Sequence, residues 1–179
     1  ITWSLVGSEM CIRDRVDPEY LSFKTRQIGK PVRFVELAQE INNSMPAYVV
    51  GQISEILNKN GKILNNSKIL LMGVAYKKDI SDMRESPAID ITELLLEKKV
   101  DVSYFDPFVK EFSVFGKVIN KEDEINSFDS YDMLLVLTPH STFSDIDFTK
   151  IKTIIFDTTG SDFIPVSYTH LRAHETPRY

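Results

Sequence analysis

Several residue types are scarce in this chain, and each scarcity excludes something. Of 179 residues, one is Cys and one is Trp. A lone Cys cannot form an internal disulfide, so a framework built for an oxidising compartment is excluded. No apolar run approaches the roughly 20 residues a membrane helix needs, so no spanning segment is expected. The seven Gly never cluster into a dinucleotide fingerprint or a Walker loop. Cations are outnumbered, 21 Lys and Arg against 26 Asp and Glu, and a net charge of −5 argues against a nucleic-acid binder, which would normally carry a basic face. No metal site is expected. What remains, 26% charged and 42% apolar residues with a mean hydropathy of −0.15, describes a globular chain long enough for one ordinary domain and an appendage. The cytoplasm is the expected compartment.

The two ends differ from the middle. Residues 1–15 contain Trp3 and Cys11, and residues 166–179 contain two of the three His. Neither end has a sustained helical or strand period. Both resemble translated sequencing-adapter read-through, and a native tail at each end is the alternative. They are set aside as a fusion scar would be, so fold reasoning rests on 16–165. The ends hold four Lys or Arg and three Asp or Glu, so the charge of the middle becomes −6.

From Pro31 the spacing of Phe34, Val35, Leu37, Ala38 and Ile41 predicts a helix, which Asn42-Asn43-Ser44 is expected to interrupt. A second helix is expected to start on Ser44 as its cap, with Pro46 in the first turn. It carries Val49, Val50, Ile53, Ile56 and Leu57 on one side and stops at Asn60-Gly61. Two amphipathic helices ahead of an α/β unit read as a connecting arm over residues 16–62.

An α/β domain is expected over 63–165. Residues 68–74 form a short apolar run suited to a strand buried on both faces. Ser86-Pro87 then opens a helix, cap first and Pro at the first helical position, with Ile89, Ile91, Leu94, Leu95 and Leu96 as its apolar side. Val100, Val102 and Tyr104 alternate as the next strand. A short strand at 117–119, a short helix over 122–128, a strand at 133–137 and a last strand at 153–156 complete the pattern. Strand, helix, strand, helix, strand predicts a Rossmann-like parallel sheet covered on both faces.

Ligands of such sheets sit beyond the carboxyl ends of strands. The loop after Val74 is therefore the place to look, and it offers Lys77, Lys78 and Arg84 between a strand end and a helix N-terminus. Amide groups and the helix dipole favour an anion there. An Arg can clamp phosphate with two parallel bonds, and a Lys supplies a point charge. A solvated charged loop fits the same spacing. Asp106 stands where many dinucleotide folds place an acid on a ribose, although Asp-Pro is also a common turn opener. His140 follows a strand and could face the same crevice, but a lone loop His is more often a structural hydrogen-bonder, and it is given no role.

Val16-Asp-Pro-Glu-Tyr-Leu21, Phe34-Val-Glu-Leu-Ala-Gln-Glu-Ile-Asn42, Met45-Pro46, Gly73-Val-Ala-Tyr-Lys-Lys-Asp79, Arg84-Glu-Ser-Pro87 and Asp106-Pro107 occur in that order. Together they resemble the UDP-glucose/GDP-mannose dehydrogenase family, the nucleotide-sugar 6-dehydrogenases. The Val-Asp-Pro and Glu-Ile-Asn versions are most similar to the branch acting on UDP-N-acetylhexosamines. The resemblance covers essentially all of 16–165.

It implies an enzyme that oxidises sugar C6 from alcohol to carboxylate, passing two hydrides to NAD through a Cys-bound thioester. It also implies a C-terminal UDP-binding domain preceded by a helical region that makes a homodimer, with a surface polysaccharide as the destination of the product. A stand-alone nucleotide-binding or dimerisation module is the alternative. By resemblance, Asp17 assists general-base and water-handling steps, Tyr76 and Lys77 contact the UDP-sugar, and Arg84 reaches NAD. The family nucleophile would fall at position 13, which is Arg13, while Cys11 lies two residues too early. The expectation is therefore a C-terminal fragment, inactive alone, without the NAD-binding domain and the catalytic Cys. Relatives often carry an Arg two residues after the Asp of the last strand, and here that position is Thr159.

Overall fold

A computed structural model describes residues 17–30, 32–122, 128–162, 164 and 169–170, with the backbone alone at 17–21 and 169–170. The ends read above as non-native lie outside the described residues, except for the backbone of 169–170. The chain falls into two compact units that part between Met45 and Pro46.

The first unit holds α1 (Asp17–Gln27) and the opening half of α2 (Arg33–Lys59). Gly29, at φ 71°, ends α1, its amide bonded to the Arg26 carbonyl at 3.0 Å. Arg26 Nε meets Glu36 Oε1 at 2.6 Å across the turn. Phe34, Leu37 and Ile41 lie exposed at helical spacing on α2.

The expected break at residues 42–44 does not occur, because α2 runs through it and carries Pro46 in its interior. Ser44 Oγ bonds back to the Ile41 carbonyl at 2.7 Å instead of capping a new helix. An interior Pro costs about 3 kcal/mol. Five buried side chains follow it on the same helix, Val49, Val50, Ile53, Ile56 and Leu57. Each contributes roughly 1.5–3 kcal/mol on burial, so packing outweighs the local break signal.

The second unit is a parallel sheet in the order β5-β2-β1-β6-β7-β8. Its strands are β1 (Lys68–Met72), β2 (Asp101–Phe105), β5 (Asn120–Lys121), β6 (Met133–Val136), β7 (Ile154–Asp157) and β8 (Thr169–His170). The strands therefore run 3-2-1-4-5-6 in order of appearance, the doubly wound arrangement, with the order reversing between β1 and β6. Lys68 pairs with Asp101, Met72 with Phe105, and Met72 with Val136.

Successive strand residues point to opposite faces. Ile69 and Leu71 pack with Met133, Leu135, Phe156, the α2 stripe and α3 (Pro87–Glu97). Leu70 and Met72 pack with Leu134, Val136, Phe143, Phe148, Ile151 and Ile155 on the other face. Burial on both faces is why these strands read as unbroken apolar runs. Ser86 caps α3, its Oγ accepting from the Ala88 amide at 3.2 Å and donating to the Val74 carbonyl at 2.8 Å.

The strand expected at 117–119 is one arm of a hairpin, β3 (Ser113–Val114) against β4 (Lys117–Val118). Phe115 and Gly116, both at positive φ, make its two-residue turn. Most of the helix expected over 122–128 lies outside the described residues, and Phe128–Ser130 is a single 3₁₀ turn. Among the described residues, no helix is long and apolar enough to cross a membrane.

Candidate functional site

The carboxyl ends of β1, β2 and β6 meet around one buried carboxylate. Beyond Met72 the chain turns at Gly73, whose φ is 77°. Its amide bonds the Phe105 carbonyl at 2.9 Å. The next two amides, of Val74 and Ala75, donate to Asp106 Oδ2 at 2.8 and 3.1 Å. Asp106 Oδ1 accepts from the Phe108 and Val109 amides at 2.8 and 3.0 Å. His140 Nε2 approaches Oδ2 at 3.0 Å, with both side chains fully buried.

The ribose reading of Asp106 is therefore overturned. Five donors occupy its two oxygens inside the core, and no face is left toward a ligand. Burial pushes its carboxyl up, but the His140 ring and the amides of Phe108 and Val74 outweigh that and hold it below the ordinary carboxylate value. It is a strand-end clamp.

His140 continues the clamp outward. Its Nδ1 accepts the Asp79 amide at 2.9 Å, so the ring proton sits on Nε2 and points at Asp106. Asp79 in turn accepts from the Ser141 amide at 2.7 Å and the Ser141 hydroxyl at 2.6 Å. Those two bonds hold its carboxyl below the usual range. Thr138 Oγ1 donates to the Ala75 carbonyl at 2.7 Å, a further tie between the two loops.

The loop so held carries three of the four candidate residues. Tyr76 is about half exposed, and Lys77 Nζ lies 5.4 Å from the centre of its ring. The Tyr76 amide closes the loop on the Asp82 carbonyl at 2.7 Å. Arg84 grips Asp82 with two parallel bonds, Nε to Oδ1 at 3.0 Å and Nη2 to Oδ2 at 2.8 Å. That contact draws the Asp82 carboxyl down to about 2.

Arg84, Ser81 and Met83 line one wall of an open cleft of about 450 Å³, and residues 108–111 line the other. Tyr76 and Lys77 stand on the same loop but outside that lining. Asp17 is the first residue of α1, in the other unit, and its side chain lies outside the described residues. At the position where relatives often carry an Arg, the Thr159 amide and hydroxyl bond Asp157 Oδ1 at 2.8 and 2.7 Å.

His140 is the structural hydrogen-bonder expected of a lone loop His, but neither its partners nor the part of Asp79 in holding the loop is marked in the sequence. The one signal that could have found them is positional, since each follows the carboxyl end of a central strand. Among the described residues, no group of three or more His, Cys, Asp or Glu is placed to hold a metal.

Residues 70–161, about half of the chain, match the UDP binding domain of the UDP-glucose/GDP-mannose dehydrogenase family. A UDP-N-acetyl-D-mannosamine dehydrogenase of Methanococcus maripaludis is 36% identical over 151 residues, 80% of this chain and 33% of that protein. A UDP-N-acetyl-D-glucosamine 6-dehydrogenase of Pseudomonas aeruginosa is 30% identical over 148 residues, 83% of this chain and 34% of its own length. The solved structure of a UDP-D-ManNAc dehydrogenase from Pyrococcus horikoshii superposes with a TM-score of 0.60 at 26% identity, covering 76% of this chain and 32% of that one. The chain thus spans about a third of the length of the curated relatives it matches. A doubly wound sheet, a charged loop at its switch point and this match over half the chain have one reading: the protein belongs to the UDP-glucose/GDP-mannose dehydrogenase family.

Proposed function

We propose that this chain grips the diphosphate end of a UDP-sugar with the loop at 75–85, as the UDP-binding part of an NAD-dependent nucleotide-sugar 6-dehydrogenase. The observation that carries the reading is the cation-bearing loop at the carboxyl end of β1, beside the point where strand order reverses. Lys77 supplies a point charge for the diphosphate, and Tyr76 offers an aromatic face and a hydroxyl to the substrate. The substrate class is a UDP-N-acetylhexosamine or UDP-glucose. The names of the relatives, a mannosamine and a glucosamine dehydrogenase, favour the first.

The reaction takes sugar C6 from alcohol to carboxylate in two oxidations, in the cytoplasm, toward a surface polysaccharide. NAD, when bound, takes up the hydrides. Arg84 fits a contact to it: the guanidinium is exposed at the cleft, and Asp82 fixes its direction from one side. Asp17 assists the water-handling step. The 179 residues supply the nucleotide grip and not the hydride transfer. Residues 16–62 form part of a helical dimerisation region, and 63–165 form the UDP-binding domain. The exposed stripe of Phe34, Leu37 and Ile41 is the surface through which two copies pair.

Calorimetric titration of UDP, UMP and uridine into the 179-residue chain tests the grip. One UDP per chain is expected, bound more tightly than UMP, with uridine weakest. Equal affinity for all three, or no UDP binding, rejects the reading.

A further inference from the structure

We propose that His140 is the positioning residue of this site, transmitting the rigid strand ends to the loop that carries Tyr76, Lys77 and Arg84. The inference rests on the reading of that loop as the nucleotide grip.

The two ring nitrogens face different structures. Nε2 points inward at Asp106, which is fixed by four backbone amides from the loops after β1 and β2. Nδ1 points outward and takes the amide of Asp79, in the middle of the charged loop. The ring is held in its plane by Phe108, 4.9 Å between centroids, and by Phe143, edge-on at 5.3 Å. A buried, fully bonded ring is a stiff link between two partners that are otherwise far apart in the chain.

The loop needs such a link. Asp79 sits at φ 61°, a left-handed conformation that a non-glycine residue adopts at some cost. Its amide bond to His140 and its carboxylate bonds to Ser141 hold it there from both sides. Lys77 is two residues away, and Asp82, which aims Arg84, is three. Without the His140 acceptor, the Asp79 amide loses its partner and the loop loses its inner anchor, while the sheet keeps its own hydrogen bonds.

Two substitutions separate the ring's two ends. H140N keeps an acceptor near the place of Nδ1 and gives up the donor to Asp106, while H140Q keeps a donor near the place of Nε2 and gives up the acceptor for Asp79. In the full 179-residue chain, H140Q is expected to speed amide hydrogen exchange across 76–84 about tenfold and to weaken UDP binding about tenfold, with amides in β1 and β6 unchanged. H140N is expected to lower the melting temperature more, yet leave loop exchange and UDP affinity within about threefold of the wild type.

A structural role alone would make loop opening follow lost stability, so H140N would then be the worse variant in every readout. That ordering, or wild-type loop exchange in H140Q, overturns the proposal. If H140Q does not fold, H140N decides: a protected loop supports the proposal and an opened one overturns it. If the wild-type chain binds no UDP, the nucleotide reading falls, while the exchange comparison still decides whether His140 holds the loop.

Discussion

Gly73 passes so close to Thr138 that a Cβ on it would stand 2.1 Å from the Thr138 carbonyl oxygen. The obstacle is backbone, which cannot swing aside as a side chain would. Gly73 also has φ of 77°, where any other residue is strained. Gly73→Ala is therefore expected to cost at least about 2 kcal/mol, combining strain and displacement. Urea unfolding measures it, and a loss under about 0.5 kcal/mol would mean the two loops are not packed as described.

Asp106→Asn probes the clamp itself. Both carboxylate oxygens accept from N–H donors, so the new amide group must point its own N–H at two or more of them. A loss of about 2–4 kcal/mol is expected, since a charge-assisted bond is removed and buried donors are left facing a donor. Thermal and urea unfolding read it directly.

Acid should weaken the same clamp. The folded-state value of the Asp106 carboxyl lies below its ordinary 3.8, so its contribution is complete above that value and is lost as pH falls through the folded value. Asp132 moves the same way, chiefly because Lys62 Nζ donates to it at 2.8 Å. Stability is expected to be level down to about pH 5 and to fall below it. The gap between wild type and D106N should narrow over the same acid range. A gap that widens toward acid would mean that folding raises the Asp106 carboxyl instead of lowering it.

Leu37→Glu tests the pairing surface. Leu37 is exposed between Phe34 and Ile41 on α2, so a charge there should leave the fold intact. Sedimentation at high micromolar concentration is expected to give a dimer for the wild type and a monomer for the variant. A monomeric wild type would remove the proposed homodimer.

Local chemistry is legible in the sequence where one short segment decides the outcome. The Ser86-Pro87 helix start depends on a hydroxyl and an amide two residues apart, and it forms as read. The runs at 69–72 and 133–136 read as strands because both their faces are covered. The break expected at 42–44 fails because its signal is local, while the burial of Val49 through Leu57 that overrides it is tertiary. The clamp is illegible for a similar reason. Asp106 and His140 are 34 residues apart, and they meet only because β2 and β6 flank β1 in the folded sheet. Read singly, one looks like a ribose ligand or a turn opener and the other like a structural hydrogen-bonder, and neither reading names the partner.

The grip is tested most directly by titrating UDP into wild-type and Lys77→Ala chains under identical low-salt conditions. Lys77 is exposed, and its contact is the Tyr76 ring, so the variant should unfold at the wild-type temperature. If Lys77 holds the diphosphate, UDP affinity falls at least about tenfold in Lys77→Ala, the loss of one cation–phosphate contact. An equal affinity in the two chains would contradict that grip.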